Sequence, residues 1–232
     1  MFQEIPKEKP QTPVLDLIKS PRDIKTLSPN ELETLADEIR GFLLYTIGKT
    51  GGHLGAGLGV VELTISLLKV FNLEKDKIVW DVGHQSYPYK ILTGRKDYMH
   101  LLRKPNGIAP FPSIEESRYD SFGTGHSSTS ISAALGLRLA TSKDTEENSI
   151  ISVIGDGALT AGIAFEALNH AATLKTNLLI IINDNAMSIS KNVGGITNYL
   201  PDKPIAPGQD NDWSKKSENF SKNFFTGMGF KY

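Results

Sequence analysis

Asp156 sits between Gly155 and Gly157 directly after the apolar run Ile150-Ile151-Ser152-Val153-Ile154, and Asn183-Asp184-Asn185 closes a second run at residues 178–182. Asp156 offers a hard anionic oxygen and Asn185 a neutral carbonyl oxygen, the ligand types that Mg²⁺ prefers while it completes its octahedron with phosphate oxygens and water. The two glycines let backbone approach a ligand closely, and a helix expected over about residues 160–172 can offer N–H groups to an anion. The pattern is that of a cradle for a divalent metal and a diphosphate. An isolated Gly-Asp-Gly is more often a plain strand-to-helix turn. Two such motifs at corresponding strand ends, one βαβ unit apart, reverse that balance.

Three histidines add proton chemistry. His53 lies in Gly51-Gly52-His53-Leu54-Gly55, His84 between Gly83 and Gln85, and His126 between Gly125 and Ser127. His84 falls just past an expected strand end, on the sheet edge expected to carry Asp156. His126 falls at an expected helix start, where N–H groups could meet phosphate. Each alone reads equally as a satisfied surface histidine or a catalytic one. Three in glycine-flanked turns are less readily explained that way. His100, His170 and Glu166 match no such turn and read as packing or surface residues.

The elements that must position these groups follow from pattern. Both apolar runs are short and β-branched, as expected of parallel strands buried on both faces, and ligands bind at the carboxyl edge of such sheets. Ser28, Pro29 and Glu31 form a capping box opening a helix that carries Leu32, Leu35, Ile39, Phe42 and Leu43. A second helix is expected over residues 60–71, a strand over 78–81 and a buried helix over 127–140. The fold class is therefore α/β, a parallel sheet with helices on both faces. Trp80 reads as core, within an aromatic group that includes Tyr87, Tyr89 and Phe111, and the prolines at 105, 110 and 112 mark a surface loop. Residues 1–11 read as a loose lead-in, 12–200 as the main domain, 201–219 as a loop or linker, and 220–232 as a terminal apolar segment of the same domain.

A chain of 232 residues, 39% hydrophobic, can bury a sizeable core. Its net charge of −1 gives no electrostatic case for nucleic acid or an acidic membrane. Cysteine is absent, which removes disulfides and thiolate metal sites. No apolar stretch reaches the roughly 20 residues of a membrane span, and the N-terminus lacks the pattern of a secretory signal. A cytoplasmic enzyme is expected.

The stretch from Gly155-Asp156-Gly157-Ala158 to Ala171, followed by Asn183-Asp184-Asn185-Ala186-Met187-Ser188, resembles the thiamine-diphosphate signature of the transketolase-like superfamily. More narrowly it resembles the 1-deoxy-D-xylulose-5-phosphate synthase family. Gly51-Gly52-His53-Leu54-Gly55, Trp80-Asp81-Val82-Gly83-His84-Gln85, and Gly123-Thr124-Gly125-His126-Ser127-Ser128 resemble the same family, in its order. The resemblance implies that residues 12–200 form the diphosphate- and metal-binding domain. It implies thiamine diphosphate and Mg²⁺ as cofactors, with Asp156, Asn185 and the Met187 carbonyl on the metal. Gly157 and Ala158 amides would meet the diphosphate, and Gly125, His126, Ser127 and Ser128 would lie near the reactive part of the cofactor. His53 and His84 would face the reacting carbon and handle substrate protons, with His84 also touching cofactor.

The implied reaction is a decarboxylative condensation of pyruvate with glyceraldehyde 3-phosphate, the cofactor serving as electron sink, on the route to isoprenoids, thiamine and pyridoxal. In the family the pyrimidine-binding and C-terminal domains complete the site, and the resemblance leaves them outside this chain. A partner chain or domain would have to supply that half, with a homodimer expected for the complete enzyme and little activity for this chain alone. Two other readings stay open, the N-terminal subunit of a split transketolase and a non-catalytic truncated relic.

Overall fold

The computed structural model describes residues 5–141, 148–184 and 224–232. The backbone gathers into two compact units, residues 1–125 and 126–232.

In the first unit, α1 (Pro13–Leu17) and a 3₁₀ turn (Asp23–Thr26) lead to the long helix α2 (Pro29–Thr50). Its start is the expected capping box: Glu31 N–H donates to Ser28 Oγ at 3.4 Å, and Ser28 N–H donates to Glu31 Oε2 at 2.8 Å. Leu35, Ile39 and Leu43 recur at helical spacing on one face and are fully buried. Gly51, at φ +71°, ends the helix in a conformation that disfavours a side chain. Helix α3 (Leu54–Leu58) follows where only a glycine turn was expected, then helix α4 (Val61–Val70) and the strand β1 (Lys77–Trp80), both close to their expected spans. Trp80 is core, as its place in a strand implied.

Past β1, α5 (Tyr87–Lys90) runs into irregular helical turns ending at Leu101. The proline-marked segment is only partly a surface loop. Pro105 is exposed, but Pro112 is buried. The segment is fastened to the unit by ion pairs inside it: Arg95 grips Asp120 with two hydrogen bonds of 2.7 and 2.9 Å, and Lys90 and Arg95 both reach Glu116.

In the second unit, β2 (Ile150–Gly155) and β3 (Leu178–Asn183) pair in parallel, with Ile150 opposite Leu178 and Gly155 opposite Asn183. This is the parallel α/β arrangement expected. β2 is buried from Ile150 to Ile154, including Ser152, whose Oγ donates to Ser130 Oγ at 2.8 Å. β3 departs from expectation: it is half-buried, with Leu179 exposed. An apolar run of this length does not by itself tell a strand covered on both faces from one covered on a single face.

The helices differ in detail too. The helix expected over about 160–172 is α8 (Gly162–Leu174), and a single unexpected turn, α7 (Asp156–Leu159), precedes it, separated from it at Thr160 and Ala161. The helix α6 (Ser130–Ala140) starts three residues later than expected, because Ser128 holds a left-handed φ of +71° that no helix interior admits. Ile131, Ile154, Leu159, Ala164 and Leu168 share a core with Phe225, which a helical turn at residues 224–227 presents. No helix among the described residues is long and apolar enough to cross a membrane.

Candidate functional site

The residues singled out by pattern form two groups, one in each unit. In the first, His53 caps α3 directly after the glycine turn, and His84 follows Val82 and Gly83, both at positive φ (+55° and +85°). That sharp reversal after β1 turns the His84 ring toward His53. Their ring centroids lie 5.4 Å apart, edge to face at 77°. Tyr87 is buried beneath the pair, with its hydroxyl 3.4 Å from both the His53 amide nitrogen and Nδ1. Phe111 also packs against His53, with 5.9 Å between ring centroids.

The surroundings favour neutral imidazoles. Desolvation, then the positive charge of Arg103, holds His53 below the usual imidazole range. Desolvation also lowers His84, and His53 lowers it further, while Asp81 opposes them. His84 Nδ1 is buried without a hydrogen-bond partner among the described residues, a feature that suits a ring awaiting a ligand or a water. Burial raises the pKa of the Tyr87 phenol, so it stays protonated as a donor. Two adjacent neutral imidazoles can accept and return protons near neutral pH.

In the second unit, Asp156 is buried at the head of α7, one residue past the strand end where Gly155 faces Asn183. The following residue, Asp184, therefore leaves β3 at the same edge from which Asp156 leaves β2. Gly157 and Ala158 occupy the first turn of α7, where backbone N–H groups lack intrahelical acceptors. Ser128 Oγ donates to the Ala158 carbonyl at 2.6 Å, tying the 126–128 bend to this turn. His126 and Ser127 are exposed beside it, and Gly125 stands at φ +150° against the Phe111 ring.

Of the residues singled out by pattern, His53 and His84 come together, and Ser128 meets Ala158. Asp156 lies at the strand edge shared with Asp184. Asn185 and Met187 lie outside the described residues, as does the segment 201–219. His100, His170 and Glu166 are exposed, the surface option of their expectation. The donor set fits a magnesium-bound diphosphate: a buried carboxylate, first-turn amides, and an in-register neighbouring strand end. Among the described residues no group of three or more histidine or carboxylate side chains gathers to bind a metal. Such an ion would thus depend on phosphate and water oxygens and on residues 185–187.

Pattern reading placed Tyr87 and Phe111 only in an aromatic group around the His84 motif, gave Arg103 no role, and missed the ion pairs around Arg95. The available signal was Lys90 set among apolar residues, with Arg95 just beyond, in Tyr87-Pro88-Tyr89-Lys90-Ile91-Leu92-Thr93-Gly94-Arg95, a placement that calls for buried partners.

A family model described as 1-deoxy-D-xylulose-5-phosphate synthase matches residues 15–232. Proteins named 1-deoxy-D-xylulose-5-phosphate synthase from Pseudomonas entomophila and Ectopseudomonas mendocina are 62% and 60% identical to this chain. One from Pseudomonas fluorescens is 61% identical. Each alignment covers 86% of this chain and 32% of the relative, so the chain spans about a third of the length of the curated relatives it matches.

Proposed function

We propose that this chain, which belongs to the 1-deoxy-D-xylulose-5-phosphate synthase family, supplies the diphosphate- and metal-binding half of a thiamine-diphosphate-dependent transferase site. The substrates are pyruvate and glyceraldehyde 3-phosphate. A second domain or chain supplies the pyrimidine-binding half, and the chain by itself turns over little or nothing. Thiamine diphosphate, when bound, provides the electron sink for decarboxylation and carbon–carbon bond formation.

The roles of this chain's own residues follow. The Asp156 carboxylate, with Asn185 and the Met187 carbonyl, holds Mg²⁺, and the Gly157 and Ala158 amides meet the diphosphate. Gly125, His126, Ser127 and Ser128 border the cofactor. His53 and His84 take and return protons at their ring nitrogens, a task for which their depressed pKa values suit them near neutral pH. Residues 12–200 act as the binding domain, with 220–232 completing it. The observation that supports this reading is the pairing of Gly155 with Asn183, which puts the buried Asp156 and the Asn183-Asp184 pair at neighbouring strand ends.

Calorimetry of the chain with thiamine diphosphate and Mg²⁺ tests it. The expected result is weak, Mg²⁺-dependent binding that Asp156→Ala abolishes. Equal binding by the variant, or none by the unmodified chain, refutes the assignment.

A further inference from the structure

Four charged side chains inside the first unit take no part in the steps above. Lys90 is completely buried, Asp120 and Arg95 nearly so, and Glu116 is half-buried. Arg95 Nη1 and Nη2 donate to Asp120 Oδ2 and Oδ1 at 2.7 and 2.9 Å, and Nη1 also donates to Glu116 Oε1 at 2.8 Å. Lys90 Nζ donates to the same Glu116 oxygen. Two cations and two carboxylates thus balance.

The carboxylates also bind backbone. Ala109 N–H donates to Glu116 Oε2 at 2.7 Å, and Ser113 N–H donates to Asp120 Oδ2 at 2.9 Å. These two amides bracket Phe111 and Pro112. The chain between them has no regular secondary structure, so side-chain carboxylates take the place of ladder hydrogen bonds. The ring of Phe111 lies 5.9 Å from that of His53, and Pro112 packs so closely on Gly83 that a Cβ there would fall 2.3 Å from Pro112 Cδ.

A buried ion network adds little stability over an apolar cluster of the same volume, but a bidentate Arg–carboxylate pair fixes orientation. We infer that Lys90, Arg95, Glu116 and Asp120 form a positioning network that holds residues 109–120 so that Phe111 and Pro112 wall one side of the His53–His84 pair. This rests on the reading of that pair as the proton-handling groups. None of the four need touch substrate. They act through the loop, which sets how closely the Phe111 ring covers part of the otherwise exposed His53 and where Arg103, on the preceding stretch, places its charge.

The test uses the chain without cofactor and reads imidazole titrations by NMR of nitrogen-15 histidine-labelled protein, beside the melting temperature. Arg103, His84 and Tyr87 face His53, and His53 and Asp81 face His84. Glu116→Gln is expected to shift the His53 midpoint upward, toward that of a free imidazole, as water enters and Arg103 moves away. An unchanged midpoint with a lowered melting temperature overturns the inference and makes the network merely structural. Should Glu116→Gln fail to fold, Phe111→Ala leaves all four charges paired and is expected to raise the midpoint by itself. No change there overturns the inference equally. Because neither cofactor nor turnover is measured, failure here is distinct from failure of the proposed function, which cofactor binding reads.

Discussion

An alanine at position 83 would place its Cβ 2.3 Å from both Pro112 Cδ and Thr124 Oγ1. Neither neighbour is the loose end of a flexible side chain. Pro112 is a ring, and its carbonyl accepts the Thr124 N–H at 3.2 Å, so the two move only together. Relieving the overlap by shifting backbone costs about 1–3 kcal/mol. The residue also stands at φ +85°, where an L side chain adds about 1–2 kcal/mol of strain. Gly83→Ala is therefore expected to destabilise the chain by about 2–5 kcal/mol, or roughly 4–20 °C in melting temperature at this chain length. Gly51→Ala is the control: its backbone stands at φ +71° and ψ +162°, but no atom lies within 4 Å of the added Cβ, leaving only the strain of about 1–3 kcal/mol. Urea denaturation of both variants, compared by midpoint at constant slope, is the assay. If Gly83→Ala loses no more than Gly51→Ala, the close seating of Pro112 and Thr124 on the His84 turn is wrong.

In an enzyme that spans the full length of the curated relatives, His53→Ala is expected to cut turnover by about 10²–10⁴-fold with little effect on folding, since the residue is exposed; full turnover with a lowered melting temperature would make His53 structural. Both paired imidazoles titrate lower in the folded chain than the roughly 6.5 of an unfolded one, so between those values the unfolded chain binds more protons. Their contribution to stability is complete above about pH 6.5 and is lost as pH falls through the folded values. Melting temperatures over that range should show a slope that His84→Asn flattens, and an unaltered slope would contradict it. Ser28→Ala removes one half of the α2 capping box and should cost about 1 kcal/mol, read by the urea midpoint.

The sequence made the elements with strong local codes legible. Ser28-Pro29-Asn30-Glu31 marked the start of α2 because capping is local hydrogen bonding, and the runs at 150–154 and 178–182 announced parallel strands because β-branched residues suit them. The late start of α6 and the break between α7 and α8 were not legible. Ser128 adopts a left-handed backbone beside a tertiary hydrogen bond to Ala158, and no propensity at Ser128 foretells that. The half-exposure of β3 was hidden for a related reason, since covering depends on what packs against a strand and not on its own residues. The histidines were visible through their glycine neighbours. Their actual surroundings, Tyr87 and Phe111, come from segments more than thirty and more than fifty residues away from His53, a separation that pattern alone does not bridge.

The hydrogen bond from Ser128 to Ala158 bears on how an anion would be received. A serine in a left-handed conformation is under local strain, and here a partner 30 residues distant compensates for it within the folded unit. Residue 128 and the first turn of α7 are thereby tied together by a side-chain hydrogen bond within the folded unit. Capture of a phosphate group at that turn would then forfeit little chain entropy, and discrimination would come from fit rather than from closure around the guest.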